Sequence, residues 1–165
     1  MNNTINEVTN NILQNDGPVF MLGPELTNEL VQRAGNSDLR RARVCLHRSP
    51  DSPVQEMIIA FAAGCEIPLH RHLDGKTESF HVLKGRVSVF LFDDSGNLAH
   101  ELQLGDKETG LSSYYHLSTP YWHTLKIHGD HAIIHEVATG PWEKSNEKPP
   151  EWWEKTKIKI FRGND

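Results

Sequence analysis

Gly64-Cys65-Glu66-Ile67-Pro68-Leu69-His70-Arg71-His72-Leu73-Asp74-Gly75-Lys76-Thr77-Glu78 puts two imidazoles, a turn and a carboxylate into one short stretch, and Gly85 closes the run. Far along the chain, Thr119-Pro120-Tyr121-Trp122-His123-Thr124 supplies a third imidazole. Histidines two apart on a strand point to the same face. A turn over Leu73-Asp74-Gly75-Lys76 returns Glu78 to that face. With His123 brought in by a distant strand, His70, His72, Glu78 and His123 surround one cation and leave coordination positions open.

Neutral imidazole nitrogen and ionised carboxylate suit Fe, Mn, Ni, Co or Zn. The donor set therefore predicts a divalent transition metal ion without selecting which one. Each donor also has a plainer explanation. The chain has 10 histidines, so one His-x-His pair can arise by chance, and a lone glutamate is usually a solvated acid. It is the combination with the two glycines and Pro120-x-x-His123 that favours the metal. His81, three residues beyond Glu78, falls on the opposite strand face.

The other signals agree on an all-β chain. At 165 residues there is room for one domain with a substantial core. Apolar alternation predicts strands over 54–63, 79–84, 86–92, 97–104, 113–118, 123–128 and 132–138, with Asp93-Asp94-Ser95-Gly96 as a hairpin loop and Gly129-Asp130 as a tight turn. Many short strands with regular turn signals suit a closed or two-sheet barrel better than alternating βαβ units. One short helix precedes them, with Pro24 early in it, Leu26, Leu30 and Val31 at helical spacing, and Gly35 or Asn36 at its end. Three segments follow: a polar arm over 1–20, the barrel over 21–142, and an extension over 143–165. Trp152 and Trp153 of that extension are expected to dock on the barrel or on a partner subunit.

A formal charge of −5 argues against a nucleic-acid surface, which needs clustered Lys and Arg. The longest apolar run, 57–65, is too short to span a bilayer, and residues 1–14 carry no secretory or transit signal, so a cytoplasmic protein is expected with no membrane partner. Cys45 and Cys65 cannot build a cysteine zinc site.

The His70 to Gly85 run resembles the first characteristic motif of the cupin superfamily, and Pro120-Tyr121-Trp122-His123 resembles its second. A closer likeness, covering about residues 20 to 142, is to the WbuC-type cupin metalloproteins. It is carried by Arg40-Arg41-Ala42-Arg43-Val44-Cys45-Leu46-His47, Asp51-Ser52-Pro53-Val54-Gln55, Pro68-Leu69-His70-Arg71-His72, Val82-Leu83-Lys84-Gly85-Arg86, Phe92-Asp93-Asp94-Ser95-Gly96, Trp122-His123-Thr124 and Glu136-Val137 with Gly140-Pro141. The gap from His72 to Glu78 is longer than the usual cupin spacing, and Pro120 stands where glycine is common. The resemblance implies a small cupin-type antiparallel β-barrel, the double-stranded jelly roll, with metal-ligand positions at His70, His72, Glu78 and His123. It also implies a setting among genes for surface-polysaccharide biosynthesis.

A second constellation alternates along 41–47: Ala42, Val44 and Leu46 on one side, Arg41, Arg43, Cys45 and His47 on the other. Lining the barrel, Arg41, Arg43 and His47 would hold an anionic small molecule by forked hydrogen bonds; facing outward, they would form a solvated edge or dimer surface. Cys45, without a base to activate it, is expected to be structural. His135 and Glu136 alternate on a late strand, where either could act behind the metal ligands. No residue is singled out as catalytic. Three functions fit: a metal-dependent isomerase or epimerase on a small polar or anionic carbohydrate-related metabolite, an iron-dependent dioxygenase, or a non-catalytic binding protein whose metal is structural. Exposed strand edges are compatible with a homodimer.

Overall fold

The computed structural model describes residues 3–72, 75–142 and 148–162. Leu73 and Asp74 of the expected turn lie outside them. The elements are β1 (Ile5–Thr9), β2 (Ile12–Asn15), α1 (Pro24–Asn36), β3 (Arg41–Cys45), β4 (Val54–Ala62), β5 (Glu78–Phe92), β6 (Leu98–Gly105), β7 (Tyr114–Leu117), β8 (Trp122–Thr139) and α2 (Trp153–Arg162). Strand order is β1-β2-β3-β4-β8-β5-β6, with β7 added on β5.

The two longest strands make the barrel. The second part of β8 pairs with β4 and with the start of β5, whereas its first part pairs with the end of β5, from Arg86↔His128 to Phe92↔Trp122. β5 and β8 thus run together through the one continuous sheet, from a first face built with β1 to β4 (the first sheet) to a second completed by β6 (the second sheet). Their inward residues, among them Phe80, Val82, Val87, Val89, Leu91, Leu125 and Ile134, meet Met57, Ile59 and Phe61 of β4 in one buried core. The Gly129-Asp130 pair was expected to separate two strands, and Gly85 likewise. Both instead lie within continuous strands, because the corner is absorbed by register shifts between Val82, Lys84 and Arg86 rather than by a hairpin.

Gly85 has a specific reason to be glycine. Its φ is +82°, and an added Cβ would lie 2.5 Å from the His131 carbonyl oxygen. Its amide donates to Asp106 Oδ2 at 2.8 Å, while its carbonyl accepts from the Asp106 amide at 3.0 Å.

Outside the first sheet lies α1. Leu30 and Ala34 pack on Ala42, Val44, Ile58, Ala60 and Ile133, the outward residues of β3, β4 and β8. The polar arm is a hairpin of β1 and β2 with Leu13 buried under the same layer. β2 runs parallel to β3, so the sheet is not wholly antiparallel. Parallel neighbours need a crossover, and α1 supplies it. Arg33 ties helix to hairpin through Glu7 at 2.8 Å and the Asn10 carbonyl at 2.9 Å.

The second sheet is covered by α2, whose Trp153 and Ile160 pack on Leu69, Phe92 and Trp122. Trp152 Nε1 donates to the Asp94 carbonyl at 3.2 Å, and Lys157 pairs with Glu66 at 2.8 Å. Residues 152–160 of the extension therefore lie against the barrel. Gly85→Ala, which strains both backbone and packing at the corner, should lower stability by about 3 kcal/mol. Chemical denaturation measures this, and an unchanged midpoint would show that the corner relaxes freely.

Candidate metal centre

The expected His-x-His strand shrinks to one bridge. His70 donates its amide to the His123 carbonyl at 3.1 Å, and the His123 amide donates back to His70 at 2.8 Å. This exchange fastens the loop after β4 to the start of β8 and brings the two rings to 4.2 Å between centroids. Arg71, between the histidines, points the other way. Its guanidinium stacks 4.7 Å over Trp122 and pairs with Asp94 at 2.9 Å, leaving the His72 ring 5.2 Å from that of His123. Glu78 opens β5, where its partners Ala138 and Leu117 share the inner face.

One donor atom from each of His70, His72, Glu78 and His123 lies within 4.8 Å of every other. His72 Nε2 is 2.7 Å from Glu78 Oε2, whereas His123 Nε2 stands 3.6 Å from Oε1, too far for a hydrogen bond. His123 Nε2 is buried and has no hydrogen-bond partner among the described residues. The far nitrogens are held by the backbone: Nδ1 of His70 lies 2.9 Å from the Pro68 carbonyl and Nδ1 of His123 lies 2.9 Å from that of Tyr121. A carbonyl can only accept, so Nδ1 carries the proton and the Nε2 lone pairs face the centre. The Tyr115 hydroxyl donates to Glu78 Oε1 at 2.9 Å.

The electrostatics suit a cation. Burial holds the His70 imidazole down at about 4, with His123 adding to the depression. Burial alone would raise the Glu78 carboxyl, but His123 and His72 beside it hold it well below its ordinary range. Burial likewise opposes charge on His123, yet Glu78 lifts that imidazole above its usual value. Tyr115 is pushed well up by burial and then by Glu78, so it stays a phenol that donates. An ionised carboxylate, three imidazoles with Nε2 inward and one orphaned buried nitrogen fit a divalent transition ion.

The remaining sequence candidates separate. Arg41, Arg43 and Cys45 pair in register with Phe61, Ile59 and Met57, all core residues, so this face lines the barrel. His47 lies past the end of β3, and its Nδ1 is engaged by the Glu56 backbone, 2.9 Å from the carbonyl and 3.0 Å from the amide. Glu136 pairs with Met57 and Phe80 and also faces inward. His135, considered as support for the metal ligands, faces outward instead. It pairs with Glu56 at 2.8 Å in an outer groove of about 670 Å³, because adjacent strand residues point to opposite faces. His81 is exposed on the outer face, in register with His135. Burial raises both thiols, Cys65 to about 11, so neither is a thiolate at neutral pH. Sequence reasoning missed Tyr115. Its strand was legible, but its pairing with β5 was not.

The two-sheet barrel and its inward donors define the class: a small cupin-type β-barrel with a three-histidine, one-glutamate group that can hold a metal ion. The chain belongs to the family described as Domain of unknown function (DUF6016), which matches residues 22–104. Its fold is similar to that of protein SO0799 from Shewanella oneidensis, at a TM-score of 0.53 and 11% identity over 73% of this chain and 78% of that one. The Schizosaccharomyces pombe Cnp3 cupin domain gives 0.48 and 13% over 61% of this chain, which spans 64% of that one. A cupin superfamily protein from Desulfitobacterium hafniense gives 0.44 and 14% over 60% and 76%. No curated relative matches the sequence.

Two outcomes follow from the geometry. Tyr115→Phe removes a donor that fixes Glu78 and should weaken metal binding by about 10- to 100-fold in a chelator competition; unchanged affinity would free Tyr115 of that role. Folded His70 takes its proton near about 4, whereas the unfolded residue does so near 6.5. The unfolded chain binds the extra proton between these values, so this contribution is full above the upper one and drains as pH falls toward the lower. In metal-free protein His70→Gln should flatten the acid limb of the stability profile; an identical slope would contradict the assignment.

Proposed function

We propose that the chain is a metal-dependent cytoplasmic protein that binds one divalent transition ion, Fe, Mn, Ni, Co or Zn, through His70, His72, Glu78 and His123 and acts on a small polar or anionic carbohydrate-related metabolite. The carrying observation is the convergence of four donor atoms within 4.8 Å, one of them a buried nitrogen with no hydrogen-bond partner among the described residues. His70 and His72 are only partly buried, so the group opens to the solvent-accessible side that a small molecule must enter. A bound ion there supplies polarisation of a substrate oxygen. The chain's own residues do the rest: backbone carbonyls orient His70 and His123, Tyr115 holds Glu78, and the apolar core around Phe80 and Leu91 excludes water.

The resemblance to WbuC-type cupins over residues 20 to 142 supports a carbohydrate-related substrate and a place in surface-polysaccharide biosynthesis. No helix among the described residues is long and apolar enough to cross a membrane. Anaerobic purification followed by elemental analysis should find one transition ion per chain, and the double variant His70→Ala/His72→Ala should retain none. A wild-type protein that holds no ion after anaerobic reconstitution would contradict the reading. Thermal melting separates the two uses of the ion: if it only staples the barrel, its removal lowers the midpoint and no metabolite is turned over.

A further inference from the structure

The inner wall of the first sheet carries charge that the metal group does not use. Across β3, β4, β8 and β5 one row reads Arg43, Ile59, Ile134 and Val82, and the next reads Cys45, Met57, Glu136 and Phe80. Arg41 lies one step further along the same face, opposite Phe61. Glu78 is two residues from Phe80 on the same face of β5, so the arginines and the metal donors look into one interior.

Inside that interior the guanidinium groups are left without a carboxylate partner. Neither Arg41 nor Arg43 has an ion pair among the described residues, and Arg43 Nε is buried with no hydrogen-bond partner. Glu136 is close enough for both arginines to act on it electrostatically, yet it forms no ion pair with either. Two like charges on one face of a strand, turned toward a core of Phe61, Ile59 and Met57, cost stability rather than add to it. An oxyanion offers such a pair what the fold withholds, because a guanidinium fork matches two oxygens of a carboxylate or phosphate.

We infer that Arg41 and Arg43 form an oxyanion subsite inside the barrel, so that the molecule the protein takes carries a carboxylate or phosphate held by the arginines and a polar oxygen facing His70, His72 and His123. The second half of this statement rests on the proposed metal function; the arginine subsite does not. Glu136, in register with Met57 and Phe80, borders the subsite. Cys45, beside Arg43, is a neutral wall residue.

The test is titration calorimetry of the full chain with inorganic phosphate and with malonate, on chelator-treated and on metal-loaded protein. Wild type should bind at least one of them in both states. Phosphate alone assigns a phosphorylated ligand, and malonate alone a carboxylate. Arg41→Met and Arg43→Met should each weaken binding at least tenfold while metal content stays at the wild-type level. Arg43→Lys, which keeps the charge and loses the fork, should weaken binding as well and decides the matter if the methionine variants do not fold. A merely structural arginine would lower the melting midpoint on truncation; the subsite predicts that Arg43→Met in anion-free buffer melts no lower than wild type. Absence of binding to either anion, or equal binding by wild type and every arginine variant, overturns the inference. A protein that binds the anion but no metal would instead remove the metal reading and leave the subsite standing.

Discussion

The mutual backbone hydrogen bonds of His70 and His123 are the constraint on which the rest depends. They join segments far apart in sequence without using either side chain, so both rings are free to turn Nε2 inward while their Nδ1 atoms face the carbonyls of Pro68 and Tyr121. Arg71 adds the outward anchor on Trp122 and Asp94. With that bridge in place, Glu78 needs only to begin β5 at its observed register to arrive among the imidazoles.

Of the three buried clusters, one packs Leu69 and Trp122 beside the bridge under α2, and the other two face opposite ways. The inner one fills the barrel from β4, β5 and β8, and the outer one seals β3 and β4 beneath α1. Because neighbouring strand residues alternate between them, one step of register separates an interior Glu136 from an exterior His135. The same alternation places Arg41 and Arg43 inside and Ala42 and Val44 outside. Polar groups in the interior are thus a consequence of register.

Much of this was legible in the residues. The donors His70, His72, Glu78 and His123 could be named from spacing, and α1 from Pro24, Leu30 and the residues between them. Other features depend on contacts that a single sequence does not display. Alternation alone could not say which face of 41–47 was inner, since the answer lies in pairing with Phe61, Ile59 and Met57. The hairpin of β1 and β2 was hidden by its polar composition, because the sheet it joins is supplied from elsewhere. Gly129-Asp130 reads locally as a turn, yet pairing resumes on both sides and β8 passes through it as a bulged corner. Residues 157–160 alternate like a strand and form a helix, because Trp153 and Ile160 bury one face together.

The central claim is that four side chains hold one cation. The most direct measurement is a crystal structure of anaerobically prepared, metal-loaded protein with diffraction recorded at the absorption edge of the ion. The account predicts a single anomalous peak per chain at coordination distance, about 2.1 Å, from Nε2 of His70, His72 and His123 and from a Glu78 oxygen. A peak elsewhere, or none between these residues with the four donors turned away from a common point, would contradict it.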